Sequence, residues 1–97
     1  NRVGTAHAPA RRMSELRFVY VLRSVKHPER HYTGVTANPD ARLASHNARH
    51  SPHTAKYAPW KLLVVMEFAR MDTALEFERY LNSGSGRAFA RQHFGVH

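Results

Sequence analysis

Two short β-rich segments joined by a polar break limit what this chain can fold into. The first is Phe18-Val19-Tyr20-Val21-Leu22-Arg23-Ser24 and the second is His31-Tyr32-Thr33-Gly34-Val35-Thr36. Val, Tyr, Phe and Thr favour strands, and the intervening Lys26, His27, Pro28, Glu29 and Arg30 are turn-like and polar. The pair predicts an antiparallel hairpin with a tyrosine near the middle of each strand. Opposed side chains in such a pair have Cβ atoms within about 5.5 Å. Tyr20 and Tyr32 are therefore expected close together on one face of a small sheet.

The next signals start a helix. Asn38 suits an N-cap, Pro39 the first helical position, and Asp40 the positive end of the helix dipole, so a helix is expected from Pro39 to about Arg49. Within it Arg42, His46, Arg49 and His50 fall at i, i+4, i+7 and i+8 and share one basic, imidazole-rich face. Residues His50 to Pro59, with two prolines and small polar residues, read as a loop. Trp60 to Phe68 is almost continuously apolar and reads as a buried strand, with Lys61 to Phe68 in the sheet. Asp72 or Thr73 caps a second helix that runs to about Leu81, and a third is expected from Ser85 to His93. Ala74, Phe77, Glu78 and Leu81 form one stripe of the second helix, which puts a carboxylate among apolar residues; Glu76 lies on another face. The fold expected is α/β (α+β): a three-stranded antiparallel sheet flanked by three helices. Residues 1–12, rich in Ala, Arg, Gly and Pro, read as a disordered tail, and Met13 as a natural start for one domain over residues 13–97.

Charge narrows the partners. Fifteen Lys and Arg against seven Asp and Glu give a formal +8 over 97 residues, which points first to nucleic acid. Ala41 to Met66 contains no acidic residue but holds Arg42, Arg49, Lys56 and Lys61. There is no cysteine, hence no disulfide framework and no thiolate metal site. No apolar run approaches the roughly 18 residues of a membrane span, and no segment has the order of a signal peptide. No membrane partner and a cytoplasmic location are expected.

Taken in order, Tyr20, Tyr32-Thr33-Gly34, Arg42 ten residues after Tyr32, His46, and Glu78 inside an Ala-x-x-x-Glu helix resemble a GIY-YIG nuclease domain. Phe18-Val19-Tyr20 stands where Gly-Ile-Tyr would be, and Tyr32-Thr33-Gly34 where Tyr-Ile-Gly would be. The resemblance runs from Leu16 to Phe94 and is closest to small stand-alone bacterial members. These are also similar to the N-terminal nuclease domain of the excision-repair incision subunit. With no cysteine in the chain, relatives that cut junctions and carry a cysteine-rich zinc domain are excluded as close models. The resemblance implies a divalent-metal-dependent endonuclease using one Mg²⁺ or Mn²⁺. Carried over, Glu78 holds the metal and Arg42 contacts the scissile phosphate. Tyr20 and Tyr32 orient and deprotonate the attacking water, and His46 supports a tyrosine by hydrogen bonding.

These residue types suit the chemistry. In-line attack on a phosphodiester builds negative charge, which a guanidinium and a metal ion meet with fixed positive charge. One carboxylate with water and phosphate oxygens suits Mg²⁺. A phenol, with a pKa of about 10, needs nearby cations to lower it before it acts as a base. Which tyrosine is the base is open. Arg49, Lys56, Lys61 and Arg87 are the candidates for holding nucleic acid, with DNA favoured over RNA. Sequence specificity should be weak unless a protein partner supplies it.

Other readings remain. The domain is a non-catalytic nucleic-acid-binding module on the same fold, or a basic ribosomal or membrane-surface protein. His46, His50 and His53 serve as zinc ligands. Glu78 forms a buried salt bridge with Arg42. Ser83-Gly84-Ser85-Gly86 either makes a plain turn or holds a phosphate on its backbone N–H groups.

Overall fold

The computed structural model describes residues 15–95; the tail expected over residues 1–12 lies outside them. Three strands, β1 (Phe18–Ser24), β2 (His31–Thr36) and β3 (Trp60–Glu67), form one antiparallel sheet in the order β2-β1-β3. Helix α1 (Pro39–Asn47) and the single-turn α2 (Pro52–Ala55) follow the hairpin; α3 (Met71–Leu81) and α4 (Gly84–Phe94) follow β3. The expected sheet and three helices are present with small shifts at their ends. Among the described residues a further helix, α2, occupies part of the segment expected to be a loop.

Strand alternation divides the core in two. Val19 and Val21 point to one face and pack with Ala74, Leu81 and Ala90 of α3 and α4, extended by Phe77 and Phe89. Tyr20 and Leu22 point to the other and pack with Trp60, Ala58, Leu43 and Tyr57. Between Val21 and Leu22 the pairing with β3 slips, because Val21 lies opposite Val64 and Leu22 opposite Leu62. Leu63 is the extra residue of this bulge and joins the α3–α4 core.

Local chemistry sets the helix ends. The Asn38 side chain accepts from the Ala41 N–H, with Pro39 in the first turn of α1. The helix stops at Asn47, two residues short of the expected end, and Arg49 has φ 64°, a left-handed conformation no helix continues through. The Asn47 side chain bonds both the N–H and the carbonyl of Trp60, tying the end of α1 to the start of β3. Between α3 and α4 the Ser83 hydroxyl accepts from the Gly86 N–H. A Cβ at Gly86 would run into the Tyr80 carbonyl. The glycine-rich stretch thus closes a tight helix-to-helix turn, which explains Gly86 without a bound phosphate.

Candidate active site

Tyr20 and Tyr32 share a sheet face but are not directly opposed. Tyr20 faces Gly34 and Tyr32 faces Leu22, so the phenols are diagonal neighbours with ring centroids 6.2 Å apart. The register explains Gly34. A Cβ there would come within 2.6 Å of the Tyr20 hydroxyl oxygen. That contact would push the phenol off its position, so the smallest residue stands across from it.

Helix α1 brings Arg42 and His46, one turn apart, over these phenols. His46 is only 1 % exposed, and both its ring nitrogens are engaged. Nε2 lies 3.0 Å from the Tyr20 hydroxyl and Nδ1 lies 2.8 Å from the Thr54 hydroxyl. The Arg42 guanidinium acts on both phenols, more strongly on Tyr20 than on Tyr32. In the tautomer with the proton on Nδ1, the Tyr20 hydroxyl donates to His46 Nε2 and His46 Nδ1–H donates to Thr54. Thr54 is itself buried at the start of the Trp60 support, and its carbonyl accepts from the indole N–H. Removing its hydroxyl would leave a buried N–H unpaired, at a cost of about 1–3 kcal/mol.

Neither the basic face expected of α1 nor the zinc reading describes these residues. Arg42 and His46 turn inward, while Arg49 and His50 follow the helix; Arg49 donates to the Ala55 carbonyl and His50 Nδ1 bonds Ser45. Both nitrogens of His46 are already committed.

Electrostatics amends a second expectation. Burial pushes the Tyr20 phenol above its usual value, and this outweighs the lowering by Arg42; the charges of Tyr32 and Glu78 push the same way. His46 gives no help, because burial first and Arg42 second depress its own pKa and keep the ring neutral. This has a consequence for stability. The folded-state pKa of His46 lies below the unfolded value of about 6.5. The unfolded chain then takes up the proton more readily, so this contribution is full above about pH 6.5 and is lost as pH falls toward the folded pKa. Thermal melts between pH 7.5 and pH 5 should show a falling Tm for the wild type and a flatter profile for His46→Gln. Parallel profiles would assign the acid sensitivity to another group.

Glu78 comes from α3 on the opposite layer. It is half-buried rather than sunk in the core, and its Oε2 accepts from Asn82 Nδ2 at 3.0 Å. Among the described residues it forms no ion pair, so the buried salt bridge with Arg42 is absent. Its charge still acts on Tyr20, as the smallest of the effects that raise or lower that phenol. Glu76 is exposed on another face. The described residues contain no group of three or more His, Cys, Asp or Glu suited to a metal. A lone carboxylate with one oxygen bonded to Asn82 and the other available fits a hard cation that keeps most of its water, as Mg²⁺ does.

The basic candidates do not gather on one surface. Lys56 lies over the Tyr57 ring at 5.4 Å, near Arg49. Lys61 is exposed on β3, opposite Arg23, and Arg87 belongs to α4 on the other layer.

Thr54 and Asn82 are the site residues that motif reading does not reach. A signal for the first exists: Ser51-Pro52 repeats the Asn38-Pro39 helix start. For Asn82 the only hint is its i+4 spacing from Glu78.

This fold and this arrangement of side chains define a nuclease domain, and the chain belongs to the GIY-YIG catalytic domain family, whose model matches residues 16–91. It is also similar to the structure-specific endonuclease subunit SLX1 of Debaryomyces hansenii, with 36 % identity over 70 residues. That alignment covers 65 % of this chain and 20 % of the relative, so the chain spans about a fifth of the length of the curated relative it matches.

Proposed function

We propose that this domain is a divalent-metal-dependent endonuclease acting on DNA. The observation that carries the reading is the convergence of Tyr20, Tyr32, Arg42 and His46 from two strands and one helix, with the Glu78 charge reaching the same phenol. A structural role alone would not call for a buried phenol, an imidazole and a guanidinium joined at one oxygen.

In this reading Arg42 binds the non-bridging oxygens of the scissile phosphate, where charge develops. Water sits beside the two phenols. As Tyr20 takes a proton from it, the Tyr20 proton moves to His46 Nε2, giving an imidazolium held through Nδ1–H by Thr54. The hydroxide attacks phosphorus, the P–O bond to the opposite sugar oxygen breaks, and that oxygen leaves as a hydroxyl after taking a proton from solvent. Tyr32, half-buried beside Tyr20, orients the water. Glu78 holds Mg²⁺ or Mn²⁺, which when bound supplies Lewis-acid stabilisation of the phosphoryl oxygens. The similarity to a structure-specific endonuclease subunit favours a substrate recognised by shape, and a separate subunit supplying specificity fits the same reading.

Labelled single-stranded, duplex, branched and RNA substrates, each with Mg²⁺, Mn²⁺ or EDTA, test this. Metal-dependent cutting of DNA is expected, with the branched form preferred. Binding without cutting under every condition would favour a non-catalytic nucleic-acid module. In the same samples Arg49→Ala with Lys56→Ala should flatten the dependence of log affinity on log salt by about one to two units, since each lost phosphate contact removes about 0.7–0.9. An unchanged slope would take phosphate binding away from the α1–α2 surface.

A further inference from the structure

On the face of the sheet opposite the phenols, a groove of about 350 Å³ runs between β2, the hairpin loop and the α3–α4 turn. Its floor is apolar, made by Val21, Leu81 and Ala90, all buried core residues. Above the floor stand Thr33, Asn82, Arg87 and Arg91. Glu29 and His31 complete the lining at the hairpin end.

We propose that this groove holds one unpaired nucleotide of the substrate, its base on the apolar floor and its phosphate on Arg87 and Arg91; this rests on the nuclease reading above. Three observations point there. The two arginines are one turn apart on α4, so both guanidinium groups are available to a single phosphate. Arg87 is held in place by donating to the Asn82 carbonyl at 3.0 Å, whereas Arg91 has no hydrogen bond or ion pair among the described residues. Asn82, which lines the groove, also donates to Glu78, so the groove begins one helical turn from the candidate metal carboxylate. A strand crossing the β2 edge would reach both. The volume lies in the range of about 300–1,000 Å³ usual for small-ligand sites. A base still paired and stacked must first be extruded at a cost of a few kcal/mol, whereas an unpaired one enters without that penalty. The groove therefore favours single-stranded or branched nucleic acid over continuous duplex.

Binding of 15-nucleotide single-stranded DNA, the matching blunt duplex and a duplex with a single-stranded overhang tests this. It is measured on the full chain carrying Glu78→Gln, so that the result does not depend on cutting. Arg87→Gln with Arg91→Gln, and separately Thr33→Tyr, which fills the groove at a strand position that accepts an aromatic, should weaken single-stranded and overhang binding about tenfold or more. Duplex binding should change less than about threefold. Arg91→Gln alone, at an exposed and unpaired position, should give part of the effect with an unchanged melt. Equal weakening of all three ligands by the arginine variants would reduce the arginines to general electrostatic attraction and overturn the proposal. Unchanged single-stranded binding in the folded Thr33→Tyr or Arg91→Gln protein would do the same. Loss of the nuclease reading would instead appear as absent cleavage by the wild-type chain with this binding difference intact.

Discussion

Replacing Glu78 by glutamine is expected to lower phosphodiester cleavage more than about a thousandfold while the protein stays folded and still binds nucleic acid. The side chain is half-buried, and its hydrogen bond from Asn82, the one it makes among the described residues, can be accepted equally by the glutamine carbonyl. No ion pair is broken, so the cost in stability should stay within about 0.5 kcal/mol, as for surface changes. What glutamine lacks is the negative charge that would retain a divalent cation. Mn²⁺ should therefore raise the Tm of the wild type, by mass action on the folded state, and leave the variant where it was. Glu76→Gln, on the exposed side of the same helix, serves as the control and should cut normally. A Glu78→Gln protein that cleaves as well as wild type would remove this residue from the chemistry. A drop of several kcal/mol in stability, with no metal effect, would mean that its role is structural.

The second large effect is expected at Arg42. Its guanidinium interacts with both phenols, and it is the cation that opposes burial at Tyr20. Arg42→Ala should reduce the cleavage rate by about 10³-fold, in the range found when an arginine that stabilises phosphoryl transfer is removed. It should also displace the pH profile. Without Arg42 the His46 pKa is depressed less, so the neutral ring that takes the Tyr20 proton forms only at higher pH and the rise of rate moves to more alkaline values. Arg42→Lys keeps the charge but loses the two-pronged geometry that reaches both phenols, and should fall between the two. Cleavage rates measured from pH 6 to pH 10 read both effects. An Arg42→Ala rate within tenfold of wild type, on an unmoved profile, would leave Arg42 with a packing role.

Much of this architecture is legible in short-range chemistry. Strand propensity and a polar turn identify the hairpin, and an apolar β-branched run identifies the third strand. The Asn38-Pro39 pair starts α1 because capping and the proline φ act over a few residues. Period-two alternation fixes which residues of each strand share the face of its tyrosine. Helical spacing puts Arg42 beside His46 and places Glu78, with Glu76 well away from it. Each of these depends on residues within about one turn or one strand.

What the tertiary structure decided depends on contacts between distant segments. Register is one case: only the paired backbones put Tyr20 and Tyr32 on one face and set Tyr20 against Gly34, where a Cβ would strike its hydroxyl. The one-turn helix α2 is another, since four residues are too few for periodicity to register, yet it carries Thr54 beneath His46. The state of Tyr20 is a third. Sequence counts the cations near a phenol, but burial is set by everything packed around it, and at Tyr20 burial outweighs Arg42. Glu78 follows the same rule: its stripe marks it as core-facing, and the depth of α3 on the sheet leaves it half-buried, hydrogen-bonded to Asn82 and free of any ion pair among the described residues. Propensity and spacing are local properties of the chain, whereas register, burial and charge–charge distance arise only when the layers meet.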